Sequence, residues 1–128
     1  ASPLYPFGYG LSYTSFDYSD LHLSALTPRS FEVSFKVRNT GKYDGEEVAQ
    51  LYLRDEYASV VQPLKQLKHF ARFYLKRGEE REVKFILSEE DFSLVDRNLK
   101  SIVEPGTFQI MIGAASDDIR LQTKVEIK

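Results

Sequence analysis

The stretch of residues 31–53 constrains the fold of this chain more than any other. Apolar and polar residues alternate over positions 31–38, which is the period of a strand that buries one face. The predicted inner face consists of Phe31, Val33, Phe35 and Val37. After Gly41 and Gly45, positions 48–53 are apolar almost throughout, which is typical of a central strand covered on both sides. We therefore predict two antiparallel strands that form a hairpin around a glycine-bounded loop.

Other segments repeat the two-residue period and bring the number of strands to seven or eight. Further strands are expected over residues 16–24, 67–75, 83–87, 102–103, 108–112 and 121–127. A register change near Ser19-Asp20 interrupts the first of them, and the strands at 67–75 and 83–87 are predicted to pair as a second hairpin. The loop at residues 55–63 is expected to cross from one sheet to the other. Strands at this spacing predict an all-β fold, a sandwich of antiparallel strands.

Two local patterns refine this scheme. Leu67, Ala71, Phe73 and Leu75 are predicted to share the inner face of their strand, with Phe70 and Tyr74 on the other face. Ser88 and Asp91 have the spacing of a capping box, in which the carboxylate reaches back to the backbone of the serine. One helical turn is therefore predicted over residues 89–94.

An aromatic segment precedes the first strand. The chain has eight tyrosines and nine phenylalanines, and six of these 17 aromatic residues lie within residues 3–18, where prolines and glycines separate them. Because a solvated linker is poor in aromatic residues, this segment is predicted to lie along a surface and bury its rings. We divide the chain into a connecting and docking arm, residues 1–15, and the β-sandwich, residues 16–128. The predicted docking side chains are Tyr5, Phe7, Tyr9, Leu11 and Tyr13.

The charge balance argues against several classes of partner. The chain has 17 Lys and Arg against 19 Asp and Glu, a net charge of -2, and the two signs are interspersed. This pattern argues against nucleic acid and against an anionic membrane surface as partners. No apolar run approaches the ~18 residues of a membrane span, and without cysteine there is no disulfide and no thiolate metal site. The chain begins without methionine, so we expect a fragment of a longer protein.

No combination of residues predicts a catalytic, cofactor or metal site. Adjacent carboxylates occur at residues 46–47, 55–56, 79–80, 89–90 and 117–118. Neighbours in a strand point to opposite faces and neighbours in turns are normally hydrated, so all five pairs are predicted to lie in solvent. His22 and His69 lack the spacing and the further ligands of a metal site. The glycines of Gly8-Tyr9-Gly10 lack the third glycine of a dinucleotide-binding loop.

Several sequence blocks, in the same order, resemble glycoside hydrolase family 3 enzymes, the β-glucosidases and β-xylosidases. The first block, PFGYGLSYT at residues 6–14, resembles the segment by which these enzymes leave their second catalytic domain and enter a C-terminal fibronectin type III-like domain. The other blocks are VRNTG at 37–41, GEEVAQLY at 45–52, PLKQL at 63–67, EPGTF at 104–108 and IGAAS at 112–116. Two residues depart from the family pattern: His69 stands where glycine is frequent, and Ser101 where many members have tryptophan.

The resemblance implies an immunoglobulin/fibronectin type III-like β-sandwich that accompanies catalytic domains of the same polypeptide. In the family the nucleophile and the acid/base residue belong to the upstream domains, so the resemblance assigns no catalytic residue to this chain. The parent enzyme would hydrolyse terminal β-D-glycosidic bonds, without a cofactor supplied by this domain. A secreted or periplasmic location is likewise only an implication of the resemblance.

Two functions from different classes remain open. In the first, the domain braces the catalytic domains of a glycosidase, with Tyr57, Val60 and Val61 near the entrance of the active site. In the second, the domain is a carbohydrate-binding module that captures oligosaccharide substrate by stacking exposed rings on sugar faces. The candidate rings are Tyr5, Tyr9, Tyr43 and Tyr57. An adhesion-type domain with a protein partner ranks last because it rests on fold analogy alone.

Overall fold

Two antiparallel sheets packed face to face form the part of the chain that the computed structural model describes, residues 14–56, 65–95, 100–103 and 105–128. The three-stranded sheet contains, in spatial order, β1 (Phe16–Thr27), β2 (Ser30–Asn39) and β5 (Glu80–Leu87). The four-stranded sheet contains β4 (Gln66–Leu75), β3 (Gly45–Asp55), β8 (Gly106–Ala115) and β9 (Asp118–Ile127). A 3₁₀ turn (Glu89–Phe92) and a short ribbon of β6 (Leu94–Val95) and β7 (Ser101–Ile102) follow β5. The predicted β-sandwich is confirmed, and these residues include no helix long and apolar enough to cross a membrane.

The core lies between the sheets and follows the predicted alternation. All four predicted inner residues of β2 are buried, and β3 is buried on both faces over residues 48–53, as expected of a central strand. Phe92 joins the two sheets, because its ring packs edge-on against Phe108 at 5.0 Å and against Phe31 at 5.9 Å between centroids. The four-stranded sheet contributes Ala49, Leu51, Leu53, Phe73, Leu75, Phe108, Ile110 and Ile112 to the same core.

The predicted pairing of the strands is wrong in three places. β2 pairs with β1 and β5, whereas β3 pairs with β4 and β8, so residues 31–53 form no hairpin and the loop at residues 40–44 passes from one sheet to the other. β4 and β5 likewise belong to different sheets. β3 and β4 are neighbours in one sheet, so the predicted change of sheet between these two strands is wrong. A loop of a few residues can span either ~5 Å to a neighbouring strand or ~10 Å to the facing sheet, so the strand pattern alone does not choose between them.

Three of the strand pairs, β1–β2, β3–β4 and β8–β9, contain register shifts, and the sequence predicted one of these shifts, in β1. The register of β1 shifts between Ser19 and His22, where Asp20 has a left-handed backbone with φ 55°. In β4, His69 pairs with Leu51 and Leu67 with Tyr52, so Lys68 is inserted as an extra residue. The insertion turns Leu67 to the exposed outer face, and its predicted place in the core is wrong. Beyond the bulge, Phe73 and Leu75 are buried and Phe70 and Tyr74 exposed, as predicted.

The predicted helical turn is present but shorter than expected. The carboxylate of Asp91 accepts the backbone N–H of Ser88 at 2.9 Å, which is the reciprocal contact predicted for the capping box. The turn ends at Phe92, because Ser93 has an extended backbone with φ -81° and ψ 155°. This early end places the Phe92 ring in the core.

Candidate interdomain docking site

The residues that the sequence proposed for docking lie outside the described part of the chain. These residues are Tyr5, Phe7, Tyr9, Leu11 and Tyr13 of the arm and Tyr57, Val60 and Val61 of the loop between β3 and β4. Tyr43 is the one candidate sugar-stacking ring that the structure describes. The described chain begins at Thr14, so the attachment of Thr14 to the sandwich is the first geometry that bears on docking.

Asn39, fully buried at the end of β2, holds this part of the domain together. Its Nδ2 donates to the carbonyl oxygens of Tyr43 at 2.8 Å and Leu75 at 3.1 Å. Its Oδ1 accepts from the N–H of Gly41 at 3.0 Å and from the hydroxyl of Thr14 at 2.9 Å. Both amide protons and the carbonyl oxygen are therefore satisfied. One side chain connects β2, the 40–44 loop, the end of β4 and the beginning of the described chain.

The backbone approaches closely where the chain enters the sandwich. The N–H of Thr40 donates to the carbonyl oxygen of Ser15 at 2.9 Å. A Cβ on Gly41 would overlap the Thr14 hydroxyl and lie 2.6 Å from the Ser15 nitrogen, so only glycine permits this approach. We call these five residues the Thr14 clamp: Thr14, Ser15, Asn39, Thr40 and Gly41. The clamp fixes the position at which any preceding segment is attached.

Two open depressions flank the Thr14 clamp. One of about 380 Å³ is lined by Asp17, Arg38 and Arg77 together with clamp residues, and the three charged side chains form no ion pair within the described residues. The other, about 490 Å³, is bordered by Lys42 and Tyr43. The Tyr43 side chain is 64% exposed. This end of the sandwich thus presents charged groups and a ring that are available to a neighbour.

Glu47 is a buried carboxylate that the sequence reasoning placed in solvent. It lies on the inner face of β3, where the Tyr18 hydroxyl donates to Oε2 at 3.0 Å and the Val48 N–H donates to Oε1 at 3.2 Å. Burial raises the pKa of the Glu47 carboxyl, although both hydrogen bonds oppose this shift. The pKa of the Tyr18 hydroxyl is raised as well, mainly by burial and to a smaller extent by the negative charge of Glu47. If the two-residue period of β3 is extended back from Leu53, residue 47 falls on the inner face. The sequence pattern could therefore have predicted that Glu47 is buried.

A stack of side chains surrounds this carboxylate at one edge of the sandwich. The Tyr18 ring stacks on Phe35 at 5.9 Å between centroids, and the Arg120 guanidinium of β9 lies 5.2 Å from the centre of the same ring. Arg120 also binds Asp118 at 3.0 Å, and that hydrogen bond lowers the pKa of Asp118. The cluster connects β1 of one sheet to β3 and β9 of the other. Protein donors occupy both oxygens of Glu47, so its contacts describe a structural group.

Ser88, Asp91 and His69 meet without forming a catalytic triad. His69 Nε2 lies 3.1 Å from Asp91 Oδ2, and the Ser88 hydroxyl lies 3.4 Å from the same oxygen. A nucleophilic serine must instead contact the histidine that removes its proton. His69 stacks on Phe85 at 5.7 Å, so this departure from the family pattern packs β4 against β5. In the described segments no three His, Cys, Asp or Glu residues are arranged to hold a metal ion.

The chain is similar to one small part of several longer proteins. A family model of the fibronectin type III-like domain matches residues 47–116, more than half of the chain. The chain is 48% identical over 124 residues to a β-xylosidase of Formosa agariphila, a match that covers 93% of this chain and 17% of that enzyme. It is 48% identical over 122 residues to a β-glucosidase of Bacteroides ovatus, covering 92% of this chain and 16% of the enzyme.

Solved structures match the same small part. The chain superimposes on the family 3 β-glucosidase of Bifidobacterium adolescentis with a TM-score of 0.89 and 32% identity, covering 96% of this chain and 18% of that one. For the β-D-glucoside glucohydrolase of Trichoderma reesei the TM-score is 0.87 and the identity 33%, covering 99% of this chain and 20% of that one. The chain thus spans about a fifth or less of the length of these relatives. It belongs to the fibronectin type III-like domain family, and it corresponds to a small part of glycoside hydrolase family 3 β-glucosidases and β-xylosidases.

Proposed function

We propose that this chain is an accessory domain that braces the catalytic domains of a β-glucosidase-like glycoside hydrolase. The observation that carries the proposal is the Thr14 clamp. Hydrogen bonds from Thr14 to Asn39 and from Thr40 to Ser15 hold the start of the described chain against the sandwich. Such an attachment transmits orientation between domains, whereas a flexible linker would leave them free to rotate.

The same contacts support the proposed domain boundary. We assign residues 1–15 to a connecting arm and residues 16–128 to the sandwich, since β1 begins at Phe16, directly after the clamped residues. In this scheme Tyr5, Phe7, Tyr9, Leu11 and Tyr13 dock on the upstream domains of the same polypeptide. Tyr57, Val60 and Val61 then lie near the entrance of the active site.

The reaction of the parent enzyme is the hydrolysis of terminal β-D-glycosidic bonds. The support is the similarity to proteins described as β-glucosidases and β-xylosidases. Retaining hydrolysis requires two carboxyl groups ~5 Å apart across a sugar-sized cleft. The one buried carboxylate among the described residues, Glu47, binds Tyr18 and backbone instead. The proposal assigns the nucleophile and the acid/base residue to the other domains of the parent enzyme.

Removal of this domain is expected to destabilise the parent enzyme. In the full-length polypeptide that carries this chain, deletion of residues 3–128 should lower the melting temperature of the catalytic part and its rate of aryl β-glycoside hydrolysis. The reason is the loss of a rigidly attached interface of the size found between domains, roughly 600–1,500 Å². Calorimetry and initial rates measure the two effects. Unchanged melting and full activity of the truncated enzyme contradict the proposal.

Two single variants test the role of the clamp in the same enzyme. Gly41→Ala forces Thr14 away from the sandwich and should reproduce part of the effect of the deletion, while costing the isolated 128-residue chain about 1–3 kcal/mol. Thr40→Ala is the matched control, because it removes only the 3.4 Å contact from its hydroxyl to the Ser15 carbonyl and keeps the backbone hydrogen bond. Equal behaviour of the two variants would show that the clamp does not transmit the bracing.

Capture of oligosaccharide is a second candidate, which the exposed ring of Tyr43 beside an open depression favours. Bracing requires no sugar contact at this ring. We therefore expect the amide resonances of residues 40–43 of the isolated chain to stay unchanged in titrations with gluco- and xylo-oligosaccharides up to millimolar concentration. Shifts that saturate, and that Tyr43→Ala abolishes, would instead establish capture as a function of the domain.

A further inference from the structure

The first part of β1 is separated from the rest of the strand by a bulge. Residues 16–19 pair with residues 36–39 of β2, and the pairing resumes at His22, opposite Ser34. At the bulge Asp20 has a left-handed backbone with φ 55°, and its carboxylate binds Lys36 of β2 at 3.3 Å. A bulge leaves residues unpaired and bends the strand, so it can act as a hinge. We call residues 14–19 the β1 strap.

The strap is held against the facing sheet through side chains. β1 is an edge strand, and among the described strands only β2 pairs with its backbone. On the opposite side, the Arg120 guanidinium of β9 donates to the carbonyl oxygen of Phe16 and lies 5.2 Å from the centre of the Tyr18 ring. The Tyr18 hydroxyl donates to Glu47 of β3 at 3.0 Å. These contacts close the strap over the core, in which Phe16 is buried.

Glu47, beneath the strap, is buried without a cationic partner. Among the described residues, no lysine, arginine or histidine nitrogen lies within 4.0 Å of its carboxylate. Tyr18 of the strap and Arg120 and Asp118 of β9 face it, and Asp118 stays ionised because Arg120 lowers its pKa. Burial raises the pKa of the Glu47 carboxyl. The closed strap therefore favours the protonated form of Glu47.

The other described elements packed around Glu47 present groups whose charge does not change near neutral pH. Phe73 of β4 pairs with Glu47 across the sheet, and Phe35 of β2 stacks on Tyr18. The Arg81 guanidinium of β5 lies 5.5 Å from the centre of the Phe73 ring and remains charged. A change of pH in that range therefore acts on this cluster through Glu47.

We propose that the β1 strap opens as one unit about the bulge at Asp20, and that release of the Glu47 proton promotes this opening. Opening brings water to the carboxylate, which then ionises over the ordinary range of a glutamate. Because the open form binds the proton less tightly, its population grows as the pH rises from the ordinary pKa of the carboxyl to the raised pKa of the closed form. Below that range the strap stays closed.

The opening changes how the preceding residues are attached. Thr14 and Ser15 belong to both the strap and the Thr14 clamp, so opening breaks their hydrogen bonds to Asn39 and Thr40. The attachment of residues 1–13 is thus firmer at low pH than at high pH. This inference concerns the isolated chain and does not depend on the bracing function, so either can fail while the other stands.

Amide hydrogen exchange of the isolated 128-residue chain at pH 5 and pH 8 tests the proposal. After correction for intrinsic exchange, the protection of strap amides should fall roughly tenfold more than that of reference amides, because release of one linked proton shifts an equilibrium by up to tenfold per pH unit. The antiparallel pattern makes the amides of Asp17, Ser19 and Thr40 reporters of the strap. The reference amides are those of Ser24, beyond the bulge, and Val33 in β2.

Two glutamine variants identify the group responsible. Glu47→Gln removes the titration and keeps an oxygen that can accept from Tyr18, so its strap and reference amides should respond equally to pH. Glu46→Gln is the matched control, because Glu46 is the adjacent carboxylate, partly exposed and paired with Arg72 at 3.5 Å. Its strap should respond as in wild type. The chain's two histidines are present in every variant, so their titration cancels in the comparison.

Arg120→Gln tests the strap with Glu47 unchanged. The substitution removes the donor to the Phe16 carbonyl oxygen and the cation beside the Tyr18 ring, so strap amides should lose protection at both pH values while reference amides keep theirs. Strap protection that is equal at pH 5 and pH 8 in wild type overturns the proposal, as does a pH response of the strap that persists in Glu47→Gln. A fall shared equally by strap and reference amides also overturns it, since the domain then opens as a whole.

Discussion

Replacing Asn39 with alanine is expected to lower the free energy of unfolding of the 128-residue chain by about 4 kcal/mol. The substitution leaves the carbonyl oxygens of Leu75 and Tyr43 and the N–H of Gly41 without the partner that Asn39 supplies. Each buried polar group left unsatisfied costs ~1–3 kcal/mol. Equilibrium unfolding in urea measures the loss as a lower midpoint at an unchanged slope. We expect no polar substitution proposed at another position of this domain to cost more.

Two neighbouring substitutions identify the cause of that loss. Asn39→Asp keeps the oxygen that accepts from Gly41 and Thr14 but loses both amide donors, so it should destabilise the chain about as much as alanine. Thr40→Ala, one residue further along, should change the unfolding free energy by less than about 0.5 kcal/mol. If Asn39→Ala costs less than about 1 kcal/mol, the four hydrogen bonds do not hold the clamp together.

The strands were predictable from the sequence, but their partners were not. In β2, β5, β8 and β9 the alternation of apolar and polar residues indicates that one face of the strand is buried. Each predicted inner face is buried or partly buried in the structure. Burial of one face does not report which strand lies alongside. In the loop after β2, the amide of Asn39 binds both Tyr43 and Leu75, and these contacts draw the chain across to the facing sheet. The sequence shows Asn39-Thr40-Gly41, a turn signal that is equally typical of a hairpin.

Two single residues show how local packing overrides a pattern. Lys68 adds one residue to β4, and because side chains alternate strictly, that insertion moves Leu67 from the core to the outer face. Glu47 occupies an inner position that the alternation assigns to an apolar residue. The hydroxyl of Tyr18, 29 residues earlier in the chain, donates a hydrogen bond to Glu47 that offsets part of the cost of burying this carboxylate. A partner so distant in sequence has no signal in the pattern of a single strand.

The substitution Tyr18→Phe should lower the free energy of unfolding more at high pH than at low pH. We expect Tyr18→Phe to lower the unfolding free energy by about 2 kcal/mol at pH 8 and by about 1 kcal/mol at pH 4, since a hydrogen bond to an ionised acceptor is worth more than one to a neutral acceptor. The ring itself remains, so its contacts with Phe35 and Arg120 persist. Urea titrations at the two pH values measure the difference.

The direction of this dependence follows from the hydrogen bond of Tyr18, which lowers the pKa of Glu47 against the larger rise that burial causes. Because folding raises that pKa, the folded state holds the proton more tightly, so the contribution of Glu47 to stability is present below its ordinary pKa and is lost as the pH rises through the folded-state pKa. Removing the Tyr18 hydroxyl takes away a bond that favours the ionised form and makes this loss larger. Asp118, whose pKa Arg120 lowers, titrates with the opposite sign.

A double-mutant cycle with Glu47→Gln isolates the pair. Glutamine stays neutral and can still accept from Tyr18, so in that background Tyr18→Phe should cost the same at pH 4 and pH 8. The titration of Asp118 is common to all four proteins of the cycle and cancels. A Tyr18→Phe effect that depends on pH to the same extent in both backgrounds would assign the dependence to Arg120 and Asp118 at the edge of the sandwich. A dependence confined to the Glu47 background shows that this carboxylate ionises inside the folded domain, held there by a hydroxyl from the facing sheet.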